Sequence, residues 1–249
     1  MENIPYWLPV LFFLIALFYA MVGYGGGSSY LALLALSGLS YQTIPPLALA
    51  CNLIVTIGGS WHFFRAGHFK LKNVLPFIVS SVPMAYLGGR IFVEKHLFFL
   101  LLGISLFAVS VRMFLPDHVF KSEKDISWSK AWKVGVPVGG ILGFLAGLVG
   151  IGGGIFLSPI LLLVRWANVK EAAASASFFI MMNSCSGLLG QLHKGAVDMG
   201  FLIPLGLAVF VGGQIGSRLG AYHVPKVRLQ QILATLILYV SIKLMIEGV

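Results

Sequence analysis

Apolar positions run through this chain in long unbroken stretches, without the alternation of half-buried strands or the water-facing stripe of soluble helices. After Glu2 the next formally charged residue is Arg65. Val134 to Val164 and Ala172 to His193 are likewise free of Asp, Glu, Lys and Arg. A helix needs about 20 mostly apolar residues to cross a hydrocarbon core of about 30 Å. The first run is too long for one crossing and must fold back. The pattern predicts eight spans: Pro5–Val22, Ile44–Phe64, Asn73–Gly89, Leu97–Leu115, Lys133–Val149, Ala172–Leu192, Met199–Ser217 and Leu229–Ile246. Two shorter apolar pieces, Ser28–Leu36 and Ile155–Val164, each follow a glycine cluster and are too short to cross alone. They read as half-helices or re-entrant segments, which bilayers tolerate only where protein or a cavity surrounds the backbone.

The chain is internally repetitive. Gly23, Gly25, Gly26 and Gly27 match Gly150, Gly152, Gly153 and Gly154 at an offset of 127, and beyond them the offset is 128. At that spacing Gly59 falls on Gly187, Arg65-Ala66-Gly67 on His193-Lys194-Gly195, Pro76 on Pro204, and Leu87-Gly88-Gly89-Arg90 on Ile215-Gly216-Ser217-Arg218. Corresponding landmarks at one spacing mark two related halves. The expected organisation is a first membrane repeat over residues 1–115, a polar linker over 116–130, and a second repeat over 131–249. The fold class is all-α, a polytopic membrane protein of about eight transmembrane helices in two structural repeats, each with a glycine-broken helix or half-helix. Four crossings per half make the repeats parallel; if the short pieces also cross, they are inverted. Both arrangements are open from the sequence, and the distribution of Lys and Arg favours a cytoplasmic linker only weakly.

Composition agrees. Apolar residues are 58% and charged residues 10%, against roughly 25% charged in a soluble domain. The excess of 17 basic over 8 acidic residues suits helix-flanking Lys and Arg, not nucleic acid. The N-terminus lacks the basic region and cleavage site of a signal peptide, so its first apolar run reads as a span. Cys51 and Cys185 lie in apolar stretches and are expected to be buried thiols without a disulfide.

Glycine clusters let a helix break and a ligand approach the backbone, and the half-helix that follows presents free N–H groups suited to an anion. Small residues also serve close helix packing, the competing role. Two clusters at equivalent positions, each opening a segment too short to span, favour the functional break. Gly25, Gly26, Gly27 and Ser28 are the candidates in the first half, and Gly152, Gly153 and Gly154 in the second. Asn52, Thr56 and Ser60 share one face of the second span. Asn183, Ser184 and Cys185 lie in its counterpart, where Thr56 aligns with Ser184. Polar groups at such depth need partners or a cavity. No span carries a mid-membrane carboxylate of the kind that usually holds a cation, which points to an anionic substrate. His62 and His193 are candidates for proton coupling or are interfacial histidines. Arg90 and Arg218 either anchor span ends by snorkelling or form an electropositive vestibule.

These residues resemble the TauE/SafE sulfite exporter family, within the toluene-sulfonate uptake permease group. Gly150 to Pro159 (GIGGGIFLSP), its partner Gly23 to Gly27, and the turns His193 to Asp198 and His62 to Gly67 carry the resemblance over nearly the whole chain. It implies a multi-pass secondary transporter, an exporter by the family's name, for sulfite, organosulfonates or related sulfur anions in a bacterial plasma membrane, with no cofactor. The partners implied are a small anionic substrate and the lipid bilayer. One departure is Ala32 in the first half where the second has Pro159. Two other readings stand beside it: an intramembrane enzyme using Cys185 or Ser186, and a membrane scaffold without transport. The enzyme reading is the poorer, because His193 lies about 10 Å along the helix from Ser186, beyond hydrogen-bond reach.

Overall fold

The computed structural model describes residues 5–114, 127–164, 166–194 and 197–222, with isolated positions 238, 241, 242 and 246 beyond. The final span expected over Leu229–Ile246 and most of the polar linker therefore lie outside the described residues. Among those described, every regular element is helical. They are α1 (Trp7–Met21), α2 (Gly27–Leu36), α3 (Ile44–Arg65), α4 (Leu71–Arg90), α5 (Lys95–Phe114), α6 (Trp128–Val149), α7 (Gly154–Leu163), α8 (Val169–Gln191) and α9 (Met199–Tyr222). Four of them, α3, α6, α8 and α9, are long and apolar enough to cross a membrane.

Local chemistry sets the ends. The tandem Pro45 and Pro46 sit in the first turn of α3, where their missing N–H groups cost nothing. α8 opens with a capping box: Asn168 accepts from the Glu171 N–H at 3.0 Å, and the Glu171 carboxylate accepts from the Asn168 N–H at 3.3 Å. Glu171 is buried and also pairs with Lys70 at 2.5 Å, which ties the α3–α4 turn to the start of α8.

The long helices pack through small residues. Along α6, Gly135, Gly139, Gly143 and Gly147 meet Pro76, Phe77, Ser81 and Ala85 of α4, rising together. Along α9, Gly212, Gly216 and Gly220 meet the backbone carbonyls of Phe13, Leu17 and Met21 of α1. Four-residue glycine spacing brings the two backbones of each parallel pair into direct contact. α3 and α8 cross antiparallel at the centre, with Leu49 beside Gly187 and Ser177 beside Gly59. The elements of the first and second halves are interleaved: α4 packs on α6 and α8, and α9 packs on α1 and α3.

Candidate functional site

Both glycine clusters break their helices. Gly26, at φ 94°, precedes α2, and Gly153, at φ 76°, precedes α7, both in the left-handed region that only glycine adopts freely. α2 then runs back along α1. Tyr30 stacks on Phe12 with centroids 4.6 Å apart, and Ser29 donates to the Tyr19 hydroxyl at 2.8 Å. A Cβ on Gly26 would sit 2.9 Å from Ile15, halfway along α1; one on Gly153 would sit 3.3 Å from Ala146 in α6. A Cβ on Gly153 would also lie 3.1 Å from Phe179, near the middle of α8, so both broken ends lie beside helix interiors.

The two ends meet each other. A Cβ on Gly27 would lie 2.8 Å from the Ile151 carbonyl oxygen. Asn52 of α3 bridges the junction, its Nδ2 donating to that oxygen at 3.2 Å. A Cβ on Gly152 would lie 3.0 Å from Asn52 Nδ2 and 3.2 Å from Ser184 Oγ, and one on Gly25 would lie 3.2 Å from the Thr56 methyl. Thr56 donates back to the Asn52 carbonyl at 2.7 Å, fixing its rotamer. Asn52, Thr56, Asn183 and Ser184 are wholly buried. Asn52 Oδ1, Asn183 Oδ1 and Ser184 Oγ lack hydrogen-bond partners, unusual for buried polar atoms.

Some candidates lie elsewhere. Ser28 is buried but its hydroxyl is 3.5 Å from that of Tyr19, between α1 and α2. Asn183 donates along its own helix to Phe179 O at 2.9 Å. Cys185 is exposed, a correction to the buried thiol expected from its apolar surroundings. Each residue turns a helix by about 100°, so with Ser184 facing the junction Cys185 faces outward. Ser186 donates to Val82 O at 2.6 Å, and His193 sits near Tyr86 and Leu189 O, so no nucleophile–base pair forms.

The four charged or titratable candidates divide between opposite ends of the protein. Arg90 lies over the Tyr86 ring at 5.7 Å, and the Tyr86 hydroxyl is 3.4 Å from His193, where α4 and α8 end. His62 Nδ1 is 2.8 Å from Ser217 Oγ, next to Arg218, where α3 and α9 end. The sequence reading missed a feature at the first end. A cavity of about 30 Å³ is lined by Tyr41, Gln42, Pro45, Phe92, Leu148, Gln191 and Lys194, among others. Pro45 also packs on Gly150, the first glycine of the second break, so this cavity, a candidate mouth, borders that break. Lys194 is its one cation, 5.6 Å from the Phe92 centroid. Partial burial pushes its pKa down to about 8. Two polar residues from a loop and one lysine in a turn carry no periodic signal, and only folding assembles them. Among the described residues no His, Cys, Asp or Glu cluster could hold a metal ion.

The model of the TauE/SafE sulfite exporter family matches residues 8–244. The chain belongs to this family. Its relatives include a probable membrane transporter protein, y4hK, from Sinorhizobium fredii, 34% identical over 96% of this chain and 97% of that protein. A probable membrane transporter from Methanocaldococcus jannaschii is 29% identical over 86% of this chain and 85% of its own. A TauE/SafE family protein 1 of Arabidopsis thaliana is 35% identical, but over only 34% of this chain and 19% of its own. No solved structure matches the chain. With this membership and four span-length apolar helices, the protein is a multi-pass membrane transporter, and the two glycine breaks sit inside the stretch that the TauE/SafE model matches.

Proposed function

We propose that the chain is a secondary transporter of small sulfur oxyanions, with sulfite the leading substrate, and that the anion passes through the junction of Gly25–Gly27, Gly152–Gly154, Asn52, Thr56 and Ser184. The observation that carries this reading is the meeting of two broken helix ends around buried polar atoms that have no partners. Such ends supply N–H donors and a favourable dipole for negative charge. The proposed scaffold is two repeats, residues 1–115 and 131–249, joined by 116–130, contributing eight spans when the sequence-predicted Leu229–Ile246 is included. Paired contacts support the repeat: Gly23 meets Ala173 while Gly150 meets Pro45, and Gly59 meets Ser177 while Gly187 meets Leu49. Each pair is related by the offset found in the sequence.

The direction of the helices favours inverted repeats. α3 runs antiparallel to its counterpart α8, and α2 returns toward the face from which α1 started. With net crossings by α3, α4 and α5, the second repeat begins from the opposite face. Arg65, Lys70, Lys72, Lys130, Lys133, Lys170 and Arg218 then gather on one face, against Arg90, Lys95 and Lys194 on the other. The positive-inside rule makes the first face cytoplasmic and puts the Lys194 mouth outside.

Purified protein in liposomes should move sulfite, and thiosulfate or simple sulfonates should compete to different degrees. If none of these anions moves or competes, the substrate class is wrong. Lys194→Gln should raise the sulfite concentration needed for half-maximal flux several-fold, since one anion-attracting charge is lost at a confined mouth. The gap between wild type and variant should close as pH rises past about 8, where the wild-type amine loses its proton. A gap unchanged across that range would mean that the Lys194 charge is not what the anion meets.

A further inference from the structure

Within the transport reading above, we propose that the anion is bound singly protonated, as hydrogensulfite, and that the Asn52 carboxamide selects this form by accepting a hydrogen bond from its O–H. The orientation of Asn52 is fixed by its partner. Ile151 O is a carbonyl and can only accept, so the Asn52 atom 3.2 Å away is the NH2 group. Oδ1 is then the atom facing Gly25, and it is wholly buried without a partner. A buried acceptor left empty costs its full desolvation, whereas one that meets a donor recovers it. A fully deprotonated oxyanion offers only acceptors and would set lone pair against lone pair at Oδ1. A ligand bearing one O–H fits.

The rest of the junction suits the other oxygens of such a ligand. Ser184 Oγ, also buried without a partner, lies across Gly152 from Asn52 and carries a hydroxyl donor. The first-turn N–H groups of α2 have no partner within their own helix. The repeat places Ile180 where the first half has Asn52, so the acceptor that faces Gly25 has no counterpart at the equivalent position. That acceptor, set beside the donors of the break, matches an anion with one proton. A single negative charge is also far cheaper to remove from water than two.

No protein group at the junction competes for this titration. The buried faces of α2, α3, α7 and α9 carry no Asp, Glu, Lys or Arg among the described residues, and the buried carboxylate of α8, Glu171, sits at its first turn paired with Lys70. His62, half-buried on α3, faces Ser217 and Arg218 at the cytoplasmic end. Tyr19, Tyr24, Tyr30 and Cys51 are the other buried titratable side chains near the junction, and tyrosine and cysteine are ordinarily neutral at neutral pH.

The test is initial sulfite flux into proteoliposomes, from slightly acid to slightly alkaline buffers, in a Lys194→Arg background where the mouth cation cannot titrate. Flux should fall as pH rises and collapse onto one curve when plotted against hydrogensulfite concentration. Methanesulfonate, with the same single charge and three sulfur-bound oxygens but no O–H, should compete poorly. Asn52→Leu should lower flux by about tenfold or more, the loss of one hydrogen bond to a charged ligand. The methanesulfonate comparison stands even if that variant does not fold. Flux that follows the dianion, methanesulfonate competing as well as sulfite, or a pH-independent rate steep in sodium would each overturn the proposal while leaving sulfite transport intact. No sulfite flux at any pH would overturn both together.

Discussion

Valine in place of Gly26 or Gly153 is expected to abolish anion flux while the protein still purifies as a monodisperse species. Both residues hold positive φ, 94° and 76°. An L side chain in that region costs about 1–2 kcal/mol, and a β-branched one is worse placed than alanine. The surroundings separate the two positions. A Cβ on Gly26 would come within 2.7 Å of the Tyr30 ring and 2.9 Å of Ile15, whereas one on Gly153 would meet Phe179 at 3.1 Å and Ala146 at 3.3 Å. Gly26→Ala should therefore already disable transport, and Gly153→Ala should retain part of it. The helix starts would shift by the width of a methyl group, enough to take the N–H groups out of register with Asn52 and Ser184. Liposome flux and size-exclusion chromatography check this together. Wild-type flux from either valine variant would show that the breaks do not line the anion path.

The second large effect concerns assembly. Leucine at Gly147 or Gly216 should leave little folded protein. A Cβ at either position runs into a backbone carbonyl of the facing helix, that of Ala85 or Leu17. Backbone cannot rotate aside as a side chain can, so whole helices must separate. That places the cost at or above the upper end of the about 1–3 kcal/mol typical of overpacking. Gly140 is the control. It lies on α6 among the packing glycines, yet the nearest atoms to its Cβ position are 3.8 Å away, so Gly140→Leu should be tolerated. Thermal stability in detergent distinguishes them: a large fall for Gly147→Leu and Gly216→Leu, little change for Gly140→Leu. Equal falls for all three would mean that helix propensity, not backbone contact, governs these positions.

The glycines also illustrate what a sequence conceals. Gly150–Gly154 and Gly135–Gly147 are both glycine-rich, yet the first breaks a helix and the second packs one. Clustering, followed by an apolar piece too short to span, distinguished the break. The four-residue ladder of α6 carries a packing signal in its spacing, but its partner helix could not be read because it comes from the other half of the chain. Cys185 shows a similar limit. It follows Ser184 directly in an apolar run, and only the observed rotation of α8 reveals that the two side chains face different surroundings.

By itself the sequence determined that this is a helical membrane protein with two glycine breaks at equivalent places, and that buried amides and hydroxyls, not carboxylates, accompany them. Those properties depend on local composition and on self-similarity along the chain, which need no coordinates. The tertiary structure decided which polar groups meet. Asn52 faces the second break because α3 and α8 cross antiparallel, and Arg90 and Arg218, equivalent in sequence, lie at opposite ends for the same reason. The mouth lined by Lys194, Gln42 and Gln191 exists only once α4, α6 and α8 end together. Helix direction and crossing are set by contacts between residues roughly a hundred positions apart, such as Asn52 with Ile151, and hydropathy along one segment carries no information about them.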